Sequence, residues 1–127
     1  MQKRLVRFLF LNGMNIKIIK DKISIEEAKI IGAEFYDDMV KGTCDIATGA
    51  VALGGEYHID AAKVLIENGS KGDDIWGFNI VFGKPKDERI EYTALINIRP
   101  ASGNRDMYIQ DEKVRSSVKT IVDEKIL

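Results

Sequence analysis

The sequence holds one cysteine and one histidine in 127 residues. Cys44 alone cannot close an intramolecular disulfide, and no Cys-x-x-Cys pair is present to hold zinc. A lone thiol fits a reducing compartment. As a nucleophile Cys44 would need a base, and His58 is the sole imidazole. The commoner role of such a residue is that of a small buried hydrophobe. An excess of one charge is missing too: 19 Lys and Arg face 20 Asp and Glu, a net charge of −1. No global field draws in nucleic acid or anionic lipid, so neither is an expected partner. No run approaches the roughly 18 apolar residues that span a bilayer. The opening "MQKRLVRFLFLNG" has a basic head, but Arg7 interrupts its apolar stretch. No A-x-A-like cleavage site follows, and the expected location is the cytoplasm. Repeats and low-complexity tracts are also missing.

What is present reads as one globular domain. Hydrophobic residues make up 45% and charged residues 31%, a balance far from that of disordered chains. A chain of this length buries about two-thirds of its unfolded surface, enough for one core without staples. The expected domain is 14–127. Residues 1–13 are either an upstream extension or an additional strand, paired with Ile16 to Ile19 through the Asn12-Gly13 turn. The extension is the favoured reading.

"SIEEAKIIGAEFYDDMVKG" predicts a helix over about 24–41. Ser24 and Glu27 form a capping box, and Ala28, Ile31, Phe35 and Met39 share a face. Gly42 supplies a stop, and Gly32 points to close approach of a neighbour. From Thr43 the pattern is a loop, then a strand around Val51 and Leu53 ending in Gly54-Gly55. "EYHIDAAKVLIENGS" fits a helix capped by Asp60 or a strand that alternates. The strand is favoured, because "LIENGSKGDDIWGFNIVF" resembles a hairpin. Ile75 to Phe82 and Arg89 to Arg99 are expected strands around the polar turn "GKPKDE", the second stopped by Pro100. "QDEKVRSSVKTIVDEKIL" predicts a C-terminal helix over about 111–125, capped by Asp111, with Val114, Val118, Ile121 and Val122 inward. The expected class is therefore α+β: a mostly antiparallel sheet of four or five strands with both helices packed on one face.

The runs "ALGGEYHIDA", "LIENGS", "DIWGFN" and "INIRPASGNR" carry a resemblance. From Met14 onward the chain resembles a family of small bacterial and archaeal proteins known only as an uncharacterised domain of unknown function. The resemblance implies one compact domain and no named activity, cofactor or partner. Its signature runs fall on Glu56, His58, Asp60, Trp76, Asn79, Asn97, Arg99, Asn104 and Arg105. Asp106 stands where the pattern would carry a serine.

Two constellations carry chemistry. On a strand, Glu56, His58 and Asp60 would share one side at about 6.5–7 Å spacing. They could bind a divalent ion such as zinc, manganese or iron(II), or act as catalytic acid and base. The alternative is a solvated strand face. If Glu67 lies opposite Asp74 and Phe82 opposite Arg89, then Asp60, Asn79 and Tyr92 line one pocket wall. The second constellation is "IRPASGNR". Arg99 and Arg105, with Asn104, could hold phosphate or carboxylate beside loop amides. Otherwise Arg99 pairs internally and Asn104 caps a turn. No GxxxxGK[ST] or GxGxxG spacing indicates a nucleotide fold. Trp76 is expected in the core or an interface. The leading functional expectation is a small binding or interaction protein with an anion-binding loop, able to form a homodimer. The alternatives are a metal-assisted enzyme using Glu56, His58 and Asp60 on a phosphorylated or carboxylated substrate, and a nucleic-acid accessory protein. In the enzyme reading, both constellations face one cleft.

Overall fold

The computed structural model describes residues 15–127; the expected extension or strand at 1–13 lies outside them. The elements run β1 (Lys17–Ile18), α1 (Ile25–Gly32), β2 (Met39–Asp45), β3 (Val51–Leu53), α2 (His58–Glu67), β4 (Ile75–Val81), β5 (Ile90–Glu91) and α3 (Glu112–Lys125). Short 3-10 turns cover Gly72–Asp74, Leu95–Asn97 and Pro100–Ser102. The class is α+β, as expected. The strands form one antiparallel sheet in the order β1-β3-β2-β4-β5.

The long β2–β4 pair is its spine, in register from Met39 opposite Val81 to Asp45 opposite Ile75. Side chains alternate across it, as the pleat requires. Val40, Cys44, Phe78 and Ile80 join the larger core, together with Ala28 and Ile31 of α1 and Val118 and Val122 of α3. Ile75 turns to the other face and packs with Ala52 and with Ala61, Ala62 and Leu65 of α2. The sheet is thus covered on both sides. α1 and α3 lie on one face as expected, and α2 adds a layer on the other.

Three elements differ from expectation for identifiable reasons. α1 has Ser24 as its cap, accepting from Glu27 N at 3.1 Å. It nevertheless ends at Gly32 and not near residue 41. A Cβ at Gly32 would lie 2.6 Å from Met39 O, so the returning chain passes directly against the helix end. Phe35 and Met39 kept helical spacing by coincidence; Phe35 is exposed and Met39 opens β2.

Residues 58–67 form a helix and not the favoured strand. Gly54 and Gly55, at φ 116° and 92°, end β3 and reverse the chain. The buried set His58, Ala61, Ala62 and Leu65 then follows a 3.6 period. The two alanines are also strong helix formers.

The expected strand 89–99 pairs with β4 only at Ile90 and Glu91. Beyond them the chain leaves the sheet and bonds to a later loop, with Ile109 N donating to Tyr92 O at 3.0 Å and Ala94 N to Met107 O at 3.1 Å. The observed register is Asn79 opposite Glu91. That is one residue from the expected pairing and turns Tyr92 to the opposite face from Asn79, against the larger core.

Candidate functional site

His58 is the first residue of α2, and the helix presses it onto the sheet. It is 8% exposed. Its Nε2 lies 2.9 Å from Phe78 O and 2.8 Å from Asn79 Oδ1. A backbone carbonyl only accepts, so Nε2 carries the hydrogen and Nδ1 is the acceptor of the neutral ring. Burial lowers the His58 pKa below the ordinary histidine value, and the charge of Lys41 lowers it further. The bonds to Phe78 and Asn79 act in the other direction. The ring is therefore neutral at pH 7.

Asn79 is held in turn. Its Nδ2 donates to Glu91 Oε1 at 3.3 Å and to Thr93 O at 3.4 Å. Lys41 lies directly across the ladder from Asn79. Its ammonium stands 5.1 Å from the centre of the Tyr36 ring and 5.7 Å from that of Tyr57. Among the described residues no carboxylate comes within ion-pair distance of it. Tyr36 is fixed by donating its hydroxyl to Glu56 O at 2.6 Å. The result is a half-buried cation beside a neutral imidazole, with two phenols flanking it.

The structure brings His58 and Asn79 together but gives Glu56 and Asp60 other surroundings. The strand geometry that aligned the trio does not exist. Asp60 Oδ2 accepts from Tyr57 N at 3.3 Å and caps the helix, while the Glu56 side chain is exposed. Among the described residues no group of three or more His, Cys, Asp or Glu is placed to hold a metal ion. The Cys44–His58 pair is separated by the sheet, since Cys44 faces the larger core. Burial, followed by the neighbouring Asp45 charge, pushes its thiol up to about 12.

The "IRPASGNR" loop is built as a strand substitute. On the β5 side of β4, every second residue presents its N–H and C=O outward. β5 reaches Val81 and Asn79 and then stops. At Gly77 the Asn97 side chain takes over: Oδ1 accepts from Gly77 N at 2.8 Å and Nδ2 donates to Gly77 O at 3.0 Å. Below it Arg99 donates from Nη2 to Ile75 O, from Nη1 to Asp73 O at 2.9 Å and from Nε to Ile96 O at 3.2 Å. The guanidinium also stacks 4.3 Å from the Trp76 ring centre. Trp76 is buried, as expected.

Asn104 ties the loop to itself. It donates to Asn97 O at 2.8 Å, Asp106 O at 2.8 Å and Tyr108 O at 3.1 Å. Arg105 is exposed on the surface. Asp106 occupies neither arginine; its Oδ1 accepts from Tyr108 N at 3.2 Å. Arg99 and Asn104 are thus committed to carbonyls of this chain.

The sequence reading missed Lys41, Tyr36, Tyr57, Glu91 and the edge role of Asn97. A usable signal for Lys41 was the alternation of Val40, Gly42 and Cys44 with Lys41, Thr43 and Asp45, which has the period of a strand.

No helix among the described residues is long and apolar enough to cross a membrane. Neither the curated proteins nor the solved structures contain a match to this chain. A family profile, however, matches residues 17–125, from β1 to the end of α3. The chain belongs to that family, DUF5674, a family of proteins of unknown function.

Proposed function

We propose that this chain is a small binding protein whose ligand carries an anionic group held by Lys41, next to His58 and Asn79. The observation that carries the reading is the unpaired Lys41 ammonium between Tyr36 and Tyr57. A cation in partial burial is better satisfied by an anion than by ring faces alone. The anion site expected of the loop moves here because Arg99 is engaged with Asp73 O, Ile75 O and Ile96 O. The test is an NMR titration with phosphate, sulfate and acetate. Amides of Lys41 and of residues 55–58 are expected to shift, Lys41→Met to weaken binding at least tenfold, and Arg105→Ala to leave it unchanged. Binding that survives Lys41→Met refutes the reading.

The buried single cysteine is in keeping with a cytoplasmic setting. A homodimer has apolar material available at Leu95, Ile66 and Ile59, which are 69%, 48% and 47% exposed. Light scattering that gives only monomer at high concentration removes that second reading.

A further inference from the structure

A cation alone takes any anion of suitable size. The histidine beside Lys41 adds a constraint of a different kind. Its Nε2 is fixed as a donor by two oxygen acceptors, so a neutral ring presents Nδ1 as an acceptor. Among the described residues the enclosed side-chain N and O atoms without a partner are Thr43 Oγ1, Trp76 Nε1 and Arg89 Nε. Among the described residues His58 Nδ1 has no hydrogen-bond partner, and it is not one of those enclosed atoms, so it is open to a ligand. The site therefore offers a fixed positive donor at Lys41 and an acceptor at Nδ1.

We infer that this pair selects an oxyanion that still bears a proton, a monoprotonated phosphoryl group, over one that bears none. The inference rests on the proposed anion role of Lys41. One phosphoryl oxygen meets the Lys41 ammonium. The P–OH group donates to His58 Nδ1. A fully deprotonated oxyanion has no hydrogen to offer and sets its lone pairs against that of the ring, an arrangement that costs affinity. The protein reverses this only by protonating Nδ1, against the burial of the ring and the charge of Lys41. Other charged or titratable groups near the ring are Asp60 in α2, Glu56 before it, the phenols of Tyr36 and Tyr57, and Glu91 of β5, which acts through Asn79. Asp60 is engaged by Tyr57 N and Glu91 by Asn79, so neither hydrogen-bonds Nδ1.

Two ligand sources share this chemistry: free phosphate and a phosphate monoester. Calorimetry at pH 6 and pH 8 would use inorganic phosphate and methyl phosphate as proton-bearing probes, with sulfate and dimethyl phosphate as proton-free probes. The inference expects phosphate to bind at least tenfold tighter than sulfate at pH 8, where the ring, its pKa lowered by burial, is neutral. Methyl phosphate loses its last proton near pH 6, so its binding should weaken several-fold between the two conditions. Methyl phosphate matching phosphate at pH 6 identifies an ester as an acceptable source; phosphate alone binding identifies the free ion. His58→Gln keeps a donor for Phe78 O and moves the acceptor from the Nδ1 position to Oε1, out of line with the P–OH group, so the preference should fall below about threefold. Should that variant not fold, nitrogen NMR of the wild-type imidazole gives the same information. Phosphate should move the Nδ1 resonance and leave Nε2 protonated throughout. Sulfate binding as tightly as phosphate overturns the inference while leaving Lys41 as an anion site. Failure of all four probes overturns both.

Discussion

Replacing Asn97 by alanine isolates the device that closes the edge of β4. Asn97 is fully buried and holds both backbone groups of Gly77 through Oδ1 and Nδ2. Its Nδ2 also donates to Met107 O at 3.1 Å. That carbonyl also accepts from Ala94 N at 3.1 Å, so it keeps a partner in the variant. Gly77 has no such substitute: it is buried, and β5 ends at Glu91. The variant strands one donor and one acceptor, each costing about 1–3 kcal/mol, and leaves a small cavity. The expected loss is about 3–5 kcal/mol, a large share of the total of about 5–15 kcal/mol for a domain.

Urea unfolding followed by circular dichroism measures this directly, with an unchanged slope certifying the same transition. Asn97→Asp sharpens the assay. Its carboxylate still accepts from Gly77 N but repels Gly77 O, so a purely steric role predicts little loss and a paired amide predicts a loss comparable to alanine. A water entering the cavity would recover part of the loss. A measured cost below about 1 kcal/mol for alanine refutes the edge-capping argument, because two stranded buried groups cannot be that cheap. Hydrogen exchange at the Gly77 amide should accelerate in the variant well beyond the change in global stability.

Other consequences are simpler to check. Arg99→Ala removes hydrogen bonds to Ile75 O and Asp73 O and the Trp76 stack, and should cost about 1–3 kcal/mol in the same assay; Arg105→Ala should stay within about 0.5 kcal/mol of wild type. Gly77→Ala would place a Cβ 2.5 Å from Ala94 Cβ and 3.2 Å from His58 Cδ2, so about 1–3 kcal/mol of overpacking is expected, with shifted His58 resonances. The Cys44 thiol, pushed up to about 12, should react with a disulfide reagent only as fast as the protein unfolds. Because its folded value exceeds the unfolded one, its contribution is complete below about pH 8.5–9 and is lost as the pH rises through the folded value; thermal melts between pH 8 and 10 on wild type and Cys44→Ala should diverge. For His58 the sign is opposite. Its folded pKa is lowered, so the unfolded chain binds the extra proton first, and stability is present above about pH 6.5 and falls as the pH drops toward the folded value. His58→Gln should flatten the melting temperature across that window relative to wild type.

The parts of the fold legible from the sequence are those fixed by local chemistry. Ser24 and Asp111 cap helices by contacts within three residues, and the α3 stripe repeats over a full fourteen-residue helix. The errors occur where a local pattern was compatible with two structures. Val64 and Ile66 alternate, yet His58, Ala61, Ala62 and Leu65 are the residues that face inward. A ten-residue segment satisfies either period; the reversal at Gly54-Gly55, which aims the chain back over the sheet, decides it. Phe35 and Met39 show the converse, a helical spacing that continues after the helix has ended against Val40.

Of the candidate site only His58 and Asn79 were legible in the sequence, and their roles were not. His58 and Asn79 do meet, although the argument that placed Asn79 on a shared wall relied on a register one residue out and on a strand that is a helix. Arg99 and Asn104 read as anion binders because a guanidinium and an amide bind oxygen. Nothing in their spacing says whose oxygen. A carbonyl on an unpaired strand edge and a ligand carboxylate make the same demand on an arginine. The deciding fact is non-local: β5 pairs only Asn79 and Ile80 of β4 through Glu91 and Ile90. Gly77, Ile75 and Asp73 are then left with outward carbonyls, which Asn97 and Arg99 fill. Lys41 is the converse case. It carried no motif, and it stands out only because the fold surrounds it with rings and, among the described residues, gives it no carboxylate. A charged residue becomes a site candidate when the fold leaves it unpaired, and that property belongs to the assembled sheet, not to any stretch of sequence around it.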